Sequence, residues 1–216
     1  MNKQQTRPAS QQNLLISDPP LAQALFGKTS WAWVWVIPRL YVGWEWLSAG
    51  WGKVTNPAWV GPKAGTALTG FVNGALAKAT GAHPDVQNAY AAFLKNVVLP
   101  NVGVWSSVVA FGETLVGIGL ILGILTGIVA FFGIFMNLNY LMAGTVSTNP
   151  ILLVISIFLL LAWKTAGWWG LDRWALPALG TPWGPGQVSQ KGSPNPCPMP
   201  AAAANRPDGT QILITT

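Results

Sequence analysis

Charge is scarce in this chain. Asp, Glu, Lys and Arg make up 8% of its 216 residues, where a soluble domain carries about 25%. The shortfall agrees with a membrane protein. Cysteine and histidine are scarcer still. Cys197 stands alone, which excludes an intrachain disulfide, a CxxC redox pair and a thiolate cluster. His83 is also single and lies in a polar stretch, so the chain cannot supply both ligands of a bis-histidine haem. No Walker loop, GxSxG, HExxH or dinucleotide fingerprint occurs, and the GxG triplets are too generic to hold a nucleotide. No haem, metal or nucleotide site is visible. Electron transfer by such a chain needs a bound organic cofactor, a substrate or a partner subunit. Nucleic acid is excluded as well. The net charge is +6, but the twelve Lys and Arg are scattered and form no stripe. Beside apolar segments they meet lipid headgroups instead.

Apolar residues dominate, at 51% of the chain, with a mean hydropathy of +0.40. The 47 residues from Val102 to Thr148 carry one charged side chain, Glu113. A bilayer core needs roughly 20 apolar helical residues, so this run predicts two crossings, about 102–122 and 127–146. The turn belongs at Gly123-Ile124-Leu125-Thr126-Gly127, where glycines permit it. Glu113 then lies near the middle of a span, where a charge is costly and is either paired or functional. A first span covers about 32–50 and holds Arg39, Glu45 and Pro38, which is expected to kink it. A last span covers about 151–170, entered through Asn149-Pro150. Of the thirteen Trp, most of those near the first and last spans fit an interfacial belt. The alternative is a stacking wall for a quinone ring, drawn from Trp44 and Trp46.

The segment 52–99 is too long for a plain loop. Leu68, Phe71, Val72, Ala75, Leu76 and Ala79 repeat with helical spacing, as do Val86, Tyr90, Phe93, Leu94 and Val97 after Pro84-Asp85. Both helices are amphipathic and too short to span, so they form a cap over 62–98. Residues 1–30 read as a polar tail with a short helix near Pro20–Phe26 and without the apolar core of a cleavable signal. Residues 176–216, rich in Pro, Gly and Ala, read as a disordered tail. The expected fold is an all-α integral membrane domain over 31–175: a four-helix transmembrane bundle with a two-helix amphipathic cap between spans 1 and 2. Four spans place both tails on one side. The flanking basic residues, Lys28, Arg173 and Lys191 against Lys53, Lys63 and Lys95, do not choose which side.

Several residues could carry chemistry. Arg39 and Glu113 fall on consecutive antiparallel spans and are expected to pair. One reading makes them a buried bridge that fixes helix register. The other makes Arg39 an anion or quinone-oxygen anchor and Glu113 a proton acceptor. Glu45 sits about 240° around the helix from Arg39 and so does not share its face; it lies nearer the cap and is a second candidate acid. Lys53 either pairs with Glu45 or snorkels to the surface. Asn137, Asn139 and Tyr140 give the third span a polar patch that either fastens helices together or lines a polar site beside Glu113.

These residues carry a resemblance. Arg39, Gly50-Trp51-Gly52-Lys53, Gly112-Glu113-Thr114-Leu115-Val116-Gly117, Gly123-Ile124-Leu125-Thr126, Asn137-Leu138-Asn139-Tyr140 and Gly170-Leu171-Asp172-Arg173-Trp174 resemble the DoxX family. The long segment before the second span and the closing LDRW are most similar to its DoxD branch. The resemblance covers about residues 31–175. It implies a four-helix fold in a prokaryotic cell (inner) membrane, multi-pass, with both termini cytoplasmic. For the DoxD branch it further implies the membrane subunit of a thiosulfate:quinone oxidoreductase. Such a subunit has quinone as its diffusible electron acceptor and a second oxidoreductase subunit as its partner. Thiosulfate is then expected to approach from the cap side, drawn by Arg39 and Lys53. Two other functions stay open: a non-catalytic scaffold or accessory subunit, and a small transporter, against which the lack of repeat symmetry argues. A homo-oligomer in the bilayer also stays open.

Overall fold

The computed structural model describes residues 18–180, and all regular structure among them is helical. The expectations for the extreme tails, including Cys197, lie outside the described residues. The first helix, α1, is Pro20–Gly27, and a 3-10 turn at Thr29–Trp35 leads into α2, Val36–Val54. Pro38 therefore falls in the first turn of α2. There its missing N–H would have no helical partner anyway, so the expected mid-span kink is not needed.

The next helix is α3, Thr66–Ala77, followed by α4, Asn88–Phe93. After α4 the chain passes through a π turn at Leu94–Val98 and a 3-10 turn at Leu99–Asn101 into α5, Val102–Leu122. The widened and then tightened winding accommodates Pro100, which cannot donate to the helical ladder. The second cap helix and the following apolar helix thus form one helical stretch, Asn88–Leu122. It is the one such stretch among the described residues long and apolar enough to cross a membrane by itself.

At the end of α5 the backbone turns sharply. Gly123 adopts φ +63, and the N–H of Ile124 reaches back to Gly119 O at 3.0 Å while that of Gly123 reaches Leu120 O at 3.2 Å. This left-handed closure favours glycine. Leu125 follows, also left-handed at φ +48, and α6 runs Thr126–Met142. The last apolar helix, α7, is Asn149–Leu161, with Pro150 in its first turn. It stops well short of the expected end near 170. Hydrogen-bonded turns fill the chain to Leu171, and α8 then spans Asp172–Leu179.

Packing joins α2 to α5 and α7, and α6 to α5 and α7, so these four helices close a ring. Trp46, Val116, Leu120, Leu152 and Leu159 fill its centre. A second core, built from Leu68, Val72, Val86, Leu94 and Val98, holds α3, α4 and the π turn together against α5. The ring exposes apolar side chains that a water-soluble bundle would turn inward. Phe111, Leu115, Ile128, Phe132, Val154 and Phe158 face outward, while the interior holds Arg39, Glu113 and Asn137 beside its apolar core, and Asp172 of α8 is buried as well.

Candidate functional site

A close approach of α2 to α5 sets the site. Gly43, Leu47 and Gly50 of α2 lie against Leu120–Ile121, Gly117 and Thr114 of α5. Two of these contacts need glycine. A Cβ on Gly50 would come within 2.6 Å of Thr114 Oγ1, and one on Gly117 would strike the backbone of Leu47. The antiparallel register that results places Glu113 level with the Gly50–Lys53 turn. It places Arg39 level with the turn at Gly123.

Lys53 lies one helical turn after Gly50 and so shares its face. Its Nζ donates to Glu113 Oε2 at 2.5 Å. Glu113 is 1% exposed and Lys53 is 21% exposed, so the pair runs from the interior toward the surface. Tyr140 of α6 donates its hydroxyl to the other carboxylate oxygen, Oε1. Each oxygen of the buried carboxylate thus has a donor, as a charge held out of water requires. Trp46 stacks on the Tyr140 ring with centroids 6.4 Å apart, and Phe71 of α3 meets it edge-on at 5.9 Å. On the outer side, Lys53 Nζ lies 5.2 Å over the Trp59 ring. Cation–π attraction helps to fix it there.

Tyr140 also lines a cleft of about 520 Å³ bounded by α3, α4, the π turn, α5 and α6. Its walls are apolar and aromatic, among them Phe71, Phe93, Trp105 and Met136. Its polar side chains are Tyr140, Tyr90 and Asn139. The Tyr90 hydroxyl donates to Asn139 O at 3.0 Å and to its Oδ1 at 3.2 Å. One wall of the cleft is therefore hydrogen-bonded to an ion pair that reaches the surface through Lys53.

Arg39 does not pair with Glu113. Ten residues separate Glu113 from Gly123, or about 15 Å along the helix, and Arg39 belongs to the Gly123 end. There its Nη2 donates to Trp169 O at 3.2 Å, with the side chain 2% exposed. Asp172 works at the same turn. Its Oδ1 accepts the N–H of Leu125 at 2.5 Å and its Oδ2 that of Thr126 at 3.0 Å, capping α6 and holding Leu125 in its left-handed conformation. The backbone of Leu171–Asp172 completes the joint by donating to Leu122 O and Gly123 O.

The other expected residues divide. Trp46 is buried against Tyr140, but Trp44 is 64% exposed and points away from the ring. Asn139 lines the cleft, whereas Asn137 is fully buried in the ring. Glu45 is half-buried, and among the described residues it forms no ion pair. Lys53, expected either to pair with Glu45 or to snorkel, bonds Glu113 instead. Phe71 and Tyr90 read in the sequence only as periodic helix residues and Asp172 only as part of the closing motif, not as site residues. The one local signal for the ion pair that forms is the spacing of Gly50 and Lys53, which puts both on one helical face. Among the described residues, no three His, Cys, Asp or Glu gather as a metal site.

Comparison with known proteins gives one match. The family model described as "TQO small subunit DoxD" matches residues 33–181. No curated protein and no solved structure matches the chain.

Proposed function

Because the chain belongs to the DoxD family, a membrane-associated family described as a small subunit, we propose that it serves as the membrane subunit of a thiosulfate:quinone oxidoreductase. The observation that carries this reading is the buried carboxylate of Glu113, held between Lys53 and Tyr140. In the proposed reaction two thiosulfate ions join through a new S–S bond as tetrathionate and release two electrons. A quinone accepts the two electrons with two protons and becomes a quinol. The electrons come from thiosulfate by way of the partner subunit. The protons are the task of this chain. Tyr140 passes its hydroxyl proton to the reduced quinone, and the Glu113 carboxylate takes a proton from the Lys53 ammonium and hands it on to the tyrosinate. Lys53, at the exposed end, is reprotonated from outside, and the relay runs twice for each quinol formed.

The same reading places α2, α5, α6 and α7 as four spans of a prokaryotic cell membrane, with α3 and α4 as the cap and both termini cytoplasmic. The outward apolar faces of α5, α6 and α7 support it, since lipid rewards what water penalises. α7 is 13 residues long, about 20 Å, and the hydrogen-bonded turns to Leu171 complete its crossing. Backbone bonds such as Ala166 N to Ala162 O at 2.7 Å keep that stretch internally satisfied.

A second reading has one observation in its favour. The Lys53–Glu113 pair also fastens α2 to α5, so the chain could act as a non-catalytic scaffold for its partner. Membranes carrying the protein, with and without its gene neighbours, separate the two when assayed for thiosulfate-dependent reduction of a short-chain quinone. Activity that needs this chain and is lost in a folded Glu113→Gln variant supports the first reading. Activity that needs the chain but survives that substitution supports the scaffold, and none in any combination contradicts the first.

A further inference from the structure

Resting on the reading of this chain as a quinone-linked subunit, we propose that the cleft between α3, α4, α5 and α6 is the quinone site. One ring oxygen meets the Tyr140 hydroxyl, and the isoprenoid tail leaves between α5 and α6. The volume of about 520 Å³ lies within the range of small-molecule pockets, about 300–1,000 Å³. It takes a substituted quinone ring and the first part of its tail. Apolar walls with a few polar groups at one place suit a flat, hydrophobic ring whose two oxygens need hydrogen bonds. The Tyr140 hydroxyl, which otherwise donates to Glu113, turns to the first oxygen, and at the second pole the Asn139 amide, which gives one hydrogen to Phe135 O, has another to give.

The rim determines how a ligand enters. Val108, Leu115, Phe132 and Phe135 line the cleft and are 55%, 66%, 53% and 57% exposed. An opening framed by exposed apolar side chains admits a lipid-soluble molecule from the side and gives water nothing to bind. No Lys or Arg lines the cleft, so a thiosulfate dianion there would be buried without a counter-charge, which is prohibitive. The two substrates therefore use different places, and thiosulfate does not enter beneath the cap.

Photo-crosslinking with an azido short-chain quinone on membranes containing the full chain tests this. The expected adducts fall on segments 68–76, 90–98, 105–116 and 132–140, saturate with dose and are displaced by the unmodified quinone. Gly112→Leu and Val109→Phe project new side chains into the cleft from α5. Each is expected to weaken labelling about tenfold or more, equivalent to about 1.4 kcal/mol, with the unfolding temperature unchanged. Two different positions guard against one variant failing to fold. Saturable labelling confined to other segments overturns the cleft assignment, as does full quinone reduction in a folded Gly112→Leu protein. Both results leave the proposed function standing. Labelling displaced by phospholipid but not by quinone assigns the cleft to lipid and overturns the inference. The absence of any saturable quinone labelling overturns it together with the reading beneath it.

Discussion

Lys53 and Glu113 meet at 2.5 Å because glycine at position 50 lets the backbone of α2 rest on that of α5 at Thr114. The ion pair and the close approach are one feature seen from two sides. The charges can be buried only where the helices touch, and the helices can touch only where Gly50 and Gly117 lack side chains.

Removing one member of this pair is therefore worse than removing both. Lys53→Met leaves the Glu113 carboxylate buried and without its counter-charge, at a cost of about 3–5 kcal/mol. Lys53→Met combined with Glu113→Gln recovers much of that loss. Thermal unfolding of the single and double variants in detergent measures both effects.

Gly50→Ala forces the α2 and α5 backbones apart, since the new Cβ meets Thr114. The expected loss is about 1–3 kcal/mol, with quinone reduction falling further because the Lys53 ammonium moves away from Glu113. Gly52, whose added Cβ would meet nothing within 4 Å, provides the control. Gly52→Ala is expected to keep both stability and activity. Unfolding curves and the quinone assay, run in parallel, decide it.

Asp172 is predicted to act on stability and not on the reaction. Asp172→Ala removes the acceptor for two backbone N–H groups, those of Leu125 and Thr126. Loss of such a cap costs about 0.5–2 kcal/mol. Hydrogen exchange at the first turn of α6 should rise in this variant, while the quinone affinity of the remaining folded protein is unchanged.

Much of this arrangement was legible in the sequence, and the misses have a common cause. The apolar run from Val102 to Thr148 announced two helices, and paired glycines announced their turn, because both are local properties of the chain. The expected pairing of Arg39 with Glu113 requires two mid-helix charges to sit at the same depth. Depth depends on register, and register follows from which glycines dock, a relation between α2 and α5 that neither segment reveals alone. α7 stopped short of position 170 for a similar reason. The turn segment before Asp172 is drawn to the α5–α6 joint by backbone hydrogen bonds from Leu171 and Asp172. The link from Tyr90 to Asn139 joins residues far apart in the chain, so each could be read only as a member of its own helix.

Tyr140→Phe isolates the hydroxyl. The ring still stacks on Trp46, and the loss of one hydrogen bond to a charged group costs about 1.5–3 kcal/mol. Quinone reduction is expected to fall well beyond what that loss of folded protein explains. Single-turnover reduction, normalised to folded protein, gives the comparison.

The most direct test of the proton role is thiosulfate-dependent quinone reduction by Glu113→Gln, in membranes that also contain the partner subunit. The variant protein is brought to the same folded amount as the parent. Gln keeps the size of the side chain and can still meet Tyr140, but it cannot carry the proton between Lys53 and Tyr140. The account predicts a folded, membrane-inserted protein that binds quinone and reduces it at a small fraction of the parental rate. A folded Glu113→Gln protein with the parental rate would contradict it.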